Sequence, residues 1–507
     1  MARVASRPMP RSSSAGRSLR AVTARGGALN AAFLSGAEGL VLLQGLLATA
    51  LLGPSAIGLY GVVTTTAMTI VALRRVGIDE AFVAQAAEDE EGEFQRAFGV
   101  ELAVGLVASL AIALLAPVLA AVYDDDRLLA LTLGVAYLPV AFSLQAPQWI
   151  FFRRMDFLRL RLLQAIVPLG TVLVTVPLLL AGVGVWALVI GPFCAHVAAV
   201  LAAAAASPHR LRPRFERAAA RRYLRFSWPV FATAVAALAV AQGQVALFGL
   251  SDDGLAAAGW ITLAATLTRY ADRADQIVAT TIYPAIVRVR DRVGVLEELF
   301  AKSNRLTLMW AFPFGAGLAL FGGDLVAFVL GDDWEPAVVL IGGLAAATAL
   351  QQLGYNWFAF YRARGESRPQ AVESAVFAAS FAALVVPATL AWGSWGFVAG
   401  RLASTACVLA VRRSYVLRLL PGARLGALAL RAALPLAVAT IPVLALRFAL
   451  WGGDRSPAQA VGELALWLAG LVLATRRFES GLLGELWGYL RPGGERPSWE
   501  TPAAARS

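Results

Sequence analysis

Four charged side chains lie within one long apolar stretch of the sequence. The run from 255 to 287 contains Arg269, Asp272, Arg273 and Asp275. Even on lenient scales, a charged side chain near the centre of a bilayer costs about 2.5–3.5 kcal/mol, so such residues usually face a bundle interior or a hydrated cavity. The planar fork of arginine binds phosphate oxygens through paired, charge-assisted hydrogen bonds. We therefore expect a transport cavity for a polar ligand that carries phosphate.

A helical wheel places most of these charges on a longer polar stripe. At about 100° per residue, the polar residues of the run fall within an arc of about 120°. The stripe consists of Thr262, Thr266, Arg269, Asp272, Arg273, Gln276, Thr280 and Tyr283. We interpret five of them as substrate contacts, namely Thr266, Arg269, Asp272, Arg273 and Gln276. The alternative is that the arginines and aspartates form neutral pairs that hold helices together.

The whole chain has the composition of a polytopic membrane protein. Of its 507 residues, 59% are hydrophobic and 15% are charged. A window of about 20 residues, the length needed to cross about 30 Å of hydrocarbon, predicts an all-α fold with fourteen transmembrane helices. The predicted spans are 28–52, 55–73, 97–122, 128–152, 162–181, 186–206, 228–250, 255–287, 306–330, 336–361, 371–391, 396–411, 432–452 and 459–475. An even number of spans puts both termini on one side.

The distribution of basic residues predicts which side that is. All but six of the 44 basic residues lie in the tails and in alternate loops. Arg127 and Arg455 lie in the opposite loops, which are otherwise acidic. The positive-inside rule then places both termini in the cytoplasm. The net charge of +11 thus reflects topology and attraction to anionic lipid, and we expect no nucleic-acid partner.

The sequence also contains an internal repeat. Residues 184–191, at the start of helix 6, are echoed by residues 393–400 at the start of helix 12. The pair Gln148-Trp149 in helix 4 is echoed at nearly the same spacing by Asn356-Trp357 in helix 10. Both matches align a helix with the sixth helix after it. Because six-helix repeats keep the same orientation, we expect two lobes related by an axis along the membrane normal.

This repeat divides the chain into two six-helix lobes and an appended helix pair. The predicted segments are a disordered cytoplasmic tail (1–27), an N-lobe (28–206), a basic cytoplasmic linker (207–227), a C-lobe (228–411), a basic linker with helices 13 and 14 (412–475) and a second cytoplasmic tail (476–507).

Further polar residues within the spans complete the predicted cavity. Arg401 in helix 12 is either a second phosphate contact or a structural partner. Gln148, with Gln352 and Asn356 in helix 10, could hydrogen-bond sugar hydroxyls, although amides also join neighbouring membrane helices. Glu38 is the only ionisable residue well inside helix 1. Burial would raise its pKa, so it is either the coupling site for H+ or Na+ or the partner of a cavity arginine.

Short motifs resemble those of one transporter family. They occupy residues 51–60, 152–157, 182–188 and 283–284. Together with the helix layout, over about residues 28 to 475, they resemble the Wzx-type flippases of the polysaccharide transporter branch of the multidrug/oligosaccharidyl-lipid/polysaccharide exporter superfamily. The resemblance implies export of a polyprenyl-pyrophosphate-linked oligosaccharide from the inner to the outer leaflet of a bacterial inner membrane. Alternating access of the two lobes would move it.

Other functions are less compatible with the residues. The opposite loops are too short for the outer catalytic domain of a glycosyltransferase or polymerase. Cys194 and Cys407 have no metal-ligand spacing, and we expect neither catalytic residues nor a cofactor. A multidrug cation antiporter of the same superfamily would have twelve helices and an acidic, aromatic cavity. A lipid II flippase, with fourteen helices and a basic cavity, remains an alternative. We expect a monomer that works near a polysaccharide polymerase or glycosyltransferases.

Overall fold

The computed structural model describes residues 15–74, 77–84, 89–154, 156–217, 240–272, 286–287, 289, 292–364, 366, 368–450 and 455–484. This part of the chain contains helices and turns and no β-strand, which confirms the all-α fold. Nine helices in these ranges are long and apolar enough to cross a membrane. The protein is therefore a multi-pass membrane protein.

Two of the long helical stretches are interrupted by non-helical residues. The first contains 60 residues, or about 90 Å at 1.5 Å per residue, whereas the hydrocarbon core is about 30 Å thick. It is broken at Gly53, where φ is 72°. The stretch 368–419 is broken at Trp392 and Gly393. Each long stretch therefore provides two of the predicted spans.

The N-terminal half contains eight helices. They are α1 (Ala15–Arg74), α2 (Ile78–Ala84), α3 (Glu90–Tyr123), α4 (Arg127–Val135), α5 (Leu138–Leu144), α6 (Pro147–Arg153), α7 (Phe157–Leu180) and α8 (Ala187–Ala206). Residues 15–27, predicted to belong to a disordered tail, are helical and continuous with the rest of α1. The fourth predicted span consists of α4, α5 and α6, since Pro139 and Pro147 start new helices.

The described part of the C-terminal half contains nine helices. They are α9 (240–249), α10 (Gly254–Thr268), α11 (Val293–Leu325), α12 (Ala337–Gln351), α13 (Trp357–Arg362), α14 (Arg368–Ser380), α15 (Val386–Leu419), α16 (Leu425–Leu450) and α17 (Pro457–Phe478). Gly184 and Gly393, from the echoed segments, both have a positive φ, of 72° and 57°. The echoed segments thus share backbone geometry as well as sequence.

The two halves meet through backbone contacts beside the acidic loops. We call this side the acidic face, defined by loops 124–126, 252–253 and 332–335, and the opposite side the basic face. A Cβ atom on Gly58 would lie 1.7 Å from the Leu255 carbonyl oxygen, and one on Gly259 would lie 2.1 Å from the Pro54 carbonyl oxygen. Helices α1 and α10 therefore touch at the acidic face with no room for a side chain.

Helices α16 and α17 are attached to α11 by charged groups. Arg447 donates to Glu463 at 2.9 Å, and Arg455 donates to Asp324 of α11 at 2.6 Å. The side chain of Glu463 is fully buried. Because an unpaired charge would be very costly there, these contacts keep the appended pair against the C-terminal half.

Candidate functional site

A cavity of about 750 Å³ lies within the N-terminal half, towards the basic face. Its walls come from the second half of α1, from α2 and α3, and from the segments 142–152 and 160–167. The polar side chains in its lining are Arg74, Asp79, Glu101, Gln145, Gln148 and Gln164. Its aromatic side chains are Phe142, Trp149 and Phe152. Apolar walls with a few converging polar groups are typical of a ligand site.

The charged wall of the cavity is an arginine–glutamate pair. Arg74 donates from Nη1 to the carboxylate of Glu101 and, at 2.9 Å, to Oγ of Ser143. Ser143 also lies 3.0 Å from the Glu101 carbonyl oxygen, which ties α5 to α3. The side chains of Arg74 and Glu101 are 7% and 10% exposed. The site thus holds a guanidinium at the cavity wall whose charge is balanced when no ligand is bound.

Sequence reasoning missed this pair. The second predicted span ends at residue 73, which leaves Arg74 just outside it. The third predicted span begins at residue 97, which puts Glu101 near the membrane interface, but α3 begins at Glu90, so Glu101 lies about three turns into the helix. An acid within the apolar run 97–122 requires a partner, and that requirement is the signal that could have found the pair.

Amide side chains form a second part of the lining. Gln148, one of the predicted contacts, donates to Gln145 Oε1 at 3.2 Å. Gln145 in turn donates to the Ala141 carbonyl oxygen at 3.2 Å. Gln164 accepts a hydrogen bond from Arg161, three residues before it in α7. Amides beside aromatic rings provide donors, acceptors and apolar faces, which together suit sugar rings.

The charges of the eighth predicted span lie at a change of helix type. Helix α10 ends at Thr268, and residues Arg269–Asp272 form a 3₁₀ turn. A 3₁₀ turn has about 3.0 residues per turn, so the wheel of a single α-helix is wrong beyond Thr268. Thr266 is partly exposed. Arg273 and Gln276 lie outside the described residues, as does Asp275.

Arg269 and Asp272 have different partners. The Arg269 guanidinium lies over the Tyr270 ring, 5.2 Å from its centroid, and donates to the Tyr270 hydroxyl at 3.3 Å. Asp272 accepts from Gln352 Nε2 at 2.5 Å. Arg269 is exposed, and the first half of its span packs against α1. Arg269 is thus exposed but does not line the large cavity, while Asp272 is bound to the neighbouring span.

The two predicted amide contacts of the C-terminal half join helices to one another. Gln352 and Asn356 are each 2% exposed. Asn304 of α11 donates to the Gln352 carbonyl oxygen at 3.3 Å, and Asn356 donates to Ser303 Oγ. Neither residue lines the large cavity. In this structure they make the interhelical contacts that buried amides make in membranes.

The remaining two predictions have separate outcomes. Arg401 is 5% exposed and does not line the large cavity. Its guanidinium lies over the ring of Phe377, 4.9 Å from the centroid. Glu38 belongs to α1, but its side chain lies outside the described residues. Its coupling role therefore stays a prediction.

Residues 207–217, after α8, are held against the start of α3 at the basic face. His209 Nε2 lies 3.2 Å from Glu90 Oε1, and Arg154 donates to the same oxygen at 3.3 Å. Burial opposes the charged form of Glu90, but the hydrogen bonds and charges of His209 and Arg154 outweigh it and lower the pKa of Glu90. The Arg214 amide donates to the Gln95 carbonyl oxygen at 3.0 Å. The segment is thus anchored beside the cavity.

Comparison with known proteins relates the chain to one family and one fold. A family model described as "Polysaccharide biosynthesis protein" matches residues 47–339. Among solved structures, the chain is similar to "Lipid II flippase MurJ, inward closed conformation", with 11% identity, 90% of this chain and 99% of that chain covered, and a TM-score of 0.72. It is also similar to the inward-facing conformation of a multidrug resistance MATE family transporter of the MOP superfamily, with 14% identity, 76% and 96% covered, and a TM-score of 0.63. No curated protein matches the chain.

Proposed function

The chain belongs to the polysaccharide biosynthesis protein family, and from that premise we propose that it moves a polyprenyl-pyrophosphate-linked oligosaccharide across the bacterial inner membrane. The direction is from the cytoplasmic to the outer leaflet. The observation that carries the proposal is the 750 Å³ cavity, whose lining combines Arg74 with two acids, three glutamines and aromatic rings. Such a lining suits a ligand with both phosphate and sugars.

Within the cavity, each group has a role that follows from its chemistry. Arg74 binds a phosphate oxygen, and Glu101 holds the guanidinium in place until the substrate arrives. Gln145, Gln148 and Gln164 exchange their present hydrogen bonds for sugar hydroxyls. The polyprenyl chain stays in hydrocarbon, because each buried methylene contributes about 0.8 kcal/mol.

The packing at the acidic face supports alternating access as the mechanism. Contacts of Gly58 and Gly259 close that face, while the cavity lies towards the basic face. Under the positive-inside rule the basic face is cytoplasmic. This conformation would therefore receive substrate from the cytoplasm. Separation of α1 from α10 would then open the acidic face, with each lobe moving largely as a unit.

Arg269 and Arg273 are the proposed phosphate contacts of the C-terminal half. The double variant Arg269→Ala/Arg273→Ala should reduce glycan export strongly at an unchanged amount of membrane-inserted protein. The matched control is Arg127→Ala, which removes an exposed arginine of the acidic face that pairs only locally with Asp125. Normal glycan export by a double variant that is well inserted in the membrane would contradict the role of these arginines as phosphate contacts.

Coupling to H+ or Na+ through Glu38 is a separate proposal. In proteoliposomes, flipping should depend on a pH or sodium gradient, and Glu38→Gln should remove that dependence. A variant whose dependence equals that of wild type would remove Glu38 from coupling, and it would leave the proposed substrate unaffected.

Lipid II is the second candidate substrate, because the chain shares its fold with a protein described as a lipid II flippase. Competition separates the two substrates. Flipping of a labelled oligosaccharide lipid should resist an excess of lipid II if the first proposal is right, and lipid II should compete fully if the second is right. Neighbouring genes for glycosyltransferases and a polymerase would support the oligosaccharide lipid as the substrate.

A further inference from the structure

Arg401 is a buried cation without an acidic partner in the described part of the chain. It belongs to α15 and is 5% exposed. Its Nε and Nη1 atoms are buried and make no hydrogen bond. A guanidinium stays protonated in proteins, so burial cannot be relieved by loss of its proton. A buried charge without a counter-charge is strongly destabilising, and the described residues provide no carboxylate that pairs with Arg401.

Neighbouring acids are already engaged. Glu373 is the only acid of α14, and α15 contains none. The Glu373 carboxylate is bound by Arg412, at 2.8 Å and 3.1 Å, three turns further along α15. In the C-terminal half, Asp272 accepts from Gln352.

A second unpartnered donor lies beside Arg401. Thr405 is 1% exposed, and its Oγ1 atom is buried without a hydrogen-bond partner. Residues four apart on a helix lie on the same face, with Cβ atoms about 5–6 Å apart. Phe377 covers one face of the guanidinium. Arg401 and Thr405 thus lie on one face of α15, and each has buried donors without a hydrogen-bond partner.

We propose that Arg401 and Thr405 bind a small monovalent anion, with the chemistry of chloride, inside the C-terminal half. The ion accepts hydrogen bonds from the guanidinium and from the Thr405 hydroxyl, and it balances the charge of Arg401. Neither Arg401 nor Thr405 lines the 750 Å³ cavity that we assign to the pyrophosphate and its sugars. A single ion is the ligand that fits. This site goes beyond the proposed function and does not depend on it.

Thermal unfolding of the purified full-length protein tests the site without any glycan. Wild type should unfold at a higher temperature in sodium chloride than in sodium gluconate of equal ionic strength, and the shift should grow with chloride concentration. Arg401→Met should unfold at one temperature in both salts. Thr405→Val should weaken the apparent chloride affinity about tenfold, through loss of one hydrogen bond to a charged group.

Thr389→Val is the matched control. Thr389 is also buried in α15, but its hydroxyl already donates to the Val385 carbonyl oxygen at 2.7 Å. This variant should keep the chloride affinity of wild type. A wild-type protein with equal unfolding temperatures in the two salts would overturn the proposal. So would a chloride response that survives in Arg401→Met.

Two further measurements identify the ion. Crystals grown in bromide should show an anomalous peak within hydrogen-bond distance of the Arg401 guanidinium, and the absence of a peak there would overturn the proposal. In a parallel titration, an Arg401-dependent shift with inorganic pyrophosphate but none with chloride would assign the site to the substrate instead. None of these measurements depends on flipping. Failure of the anion site and failure of the flippase function are therefore distinguishable.

Discussion

Removing one partner of the Arg74–Glu101 pair should damage the protein more than removing both. The two side chains are 7% and 10% exposed, so either charge alone would be buried without compensation. Breaking such a pair from one side costs about 3–5 kcal/mol, whereas replacing the whole pair is often nearly neutral. We expect Arg74→Gln and Glu101→Gln each to lose stability in this range. The double variant should unfold close to wild type.

Transport should respond differently from stability. If Arg74 binds a phosphate oxygen of the substrate, the double variant Arg74→Gln/Glu101→Gln recovers folding but not flipping. The control is the Arg412–Glu373 pair, whose side chains are 2% and 17% exposed and do not line the cavity. The variant Arg412→Gln/Glu373→Gln should flip substrate in proportion to the amount of folded protein that remains.

The assay combines thermal unfolding in detergent with flipping per folded molecule in proteoliposomes. A double variant of Arg74 and Glu101 that flips at the wild-type rate would refute the phosphate contact and leave the pair a purely structural role. Single variants as stable as wild type would refute the burial argument itself. In a double-mutant cycle, a coupling energy near zero would have the same consequence.

Three further predictions concern other parts of the molecule. Gly58→Val should disfavour closure at the acidic face, because the valine Cβ would lie 1.7 Å from the Leu255 carbonyl oxygen. Increased alkylation of a cysteine placed at position 255 would report opening of this face. Unchanged protection of that cysteine would contradict the prediction. The lowered pKa of Glu90 stabilises the anchored linker above the ordinary glutamate pKa, and this contribution is lost as the pH falls through the lowered value. Amide exchange at Arg214, corrected for its intrinsic rate, should therefore rise as the pH falls below the ordinary glutamate range, and Glu90→Gln should show no such rise. Glu463→Gln should cost about 3–5 kcal/mol because it leaves two arginines less compensated; a thermal shift no larger than that of the exposed control Glu335→Gln would contradict this.

The fold was predictable because its signals are local. The length of an apolar run and the charge of the loops beside it depend on neighbouring residues, and both are properties of single segments. Pro139 and Pro147 could also have indicated the breaks in the fourth span, since proline removes a helix hydrogen bond. Gly53 has the same kind of local signal, because a glycine tolerates a positive φ.

The candidate site was harder to predict because pairing is a property of the tertiary fold. Arg74 and Glu101 are separated by a charged loop and meet only when α1 packs against α3. The buried position of Gln352 and Asn356 could not be read from their depth in the helix, because cavity amides and interhelical amides have the same side chains. The 3₁₀ turn at Arg269–Asp272 likewise contains no proline or glycine that would have indicated it in the sequence.

The most direct test of the central claim is the movement of a defined substrate by the purified protein. Proteoliposomes that contain wild type should transfer a fluorescent polyprenyl-pyrophosphate oligosaccharide between leaflets, measured by loss of protection from a membrane-impermeant quencher. The double variant Arg74→Gln/Glu101→Gln, folded and inserted to the same level, should not. The account would be contradicted if wild type transferred this lipid no faster than protein-free vesicles do and instead transported a cationic drug along an ion gradient.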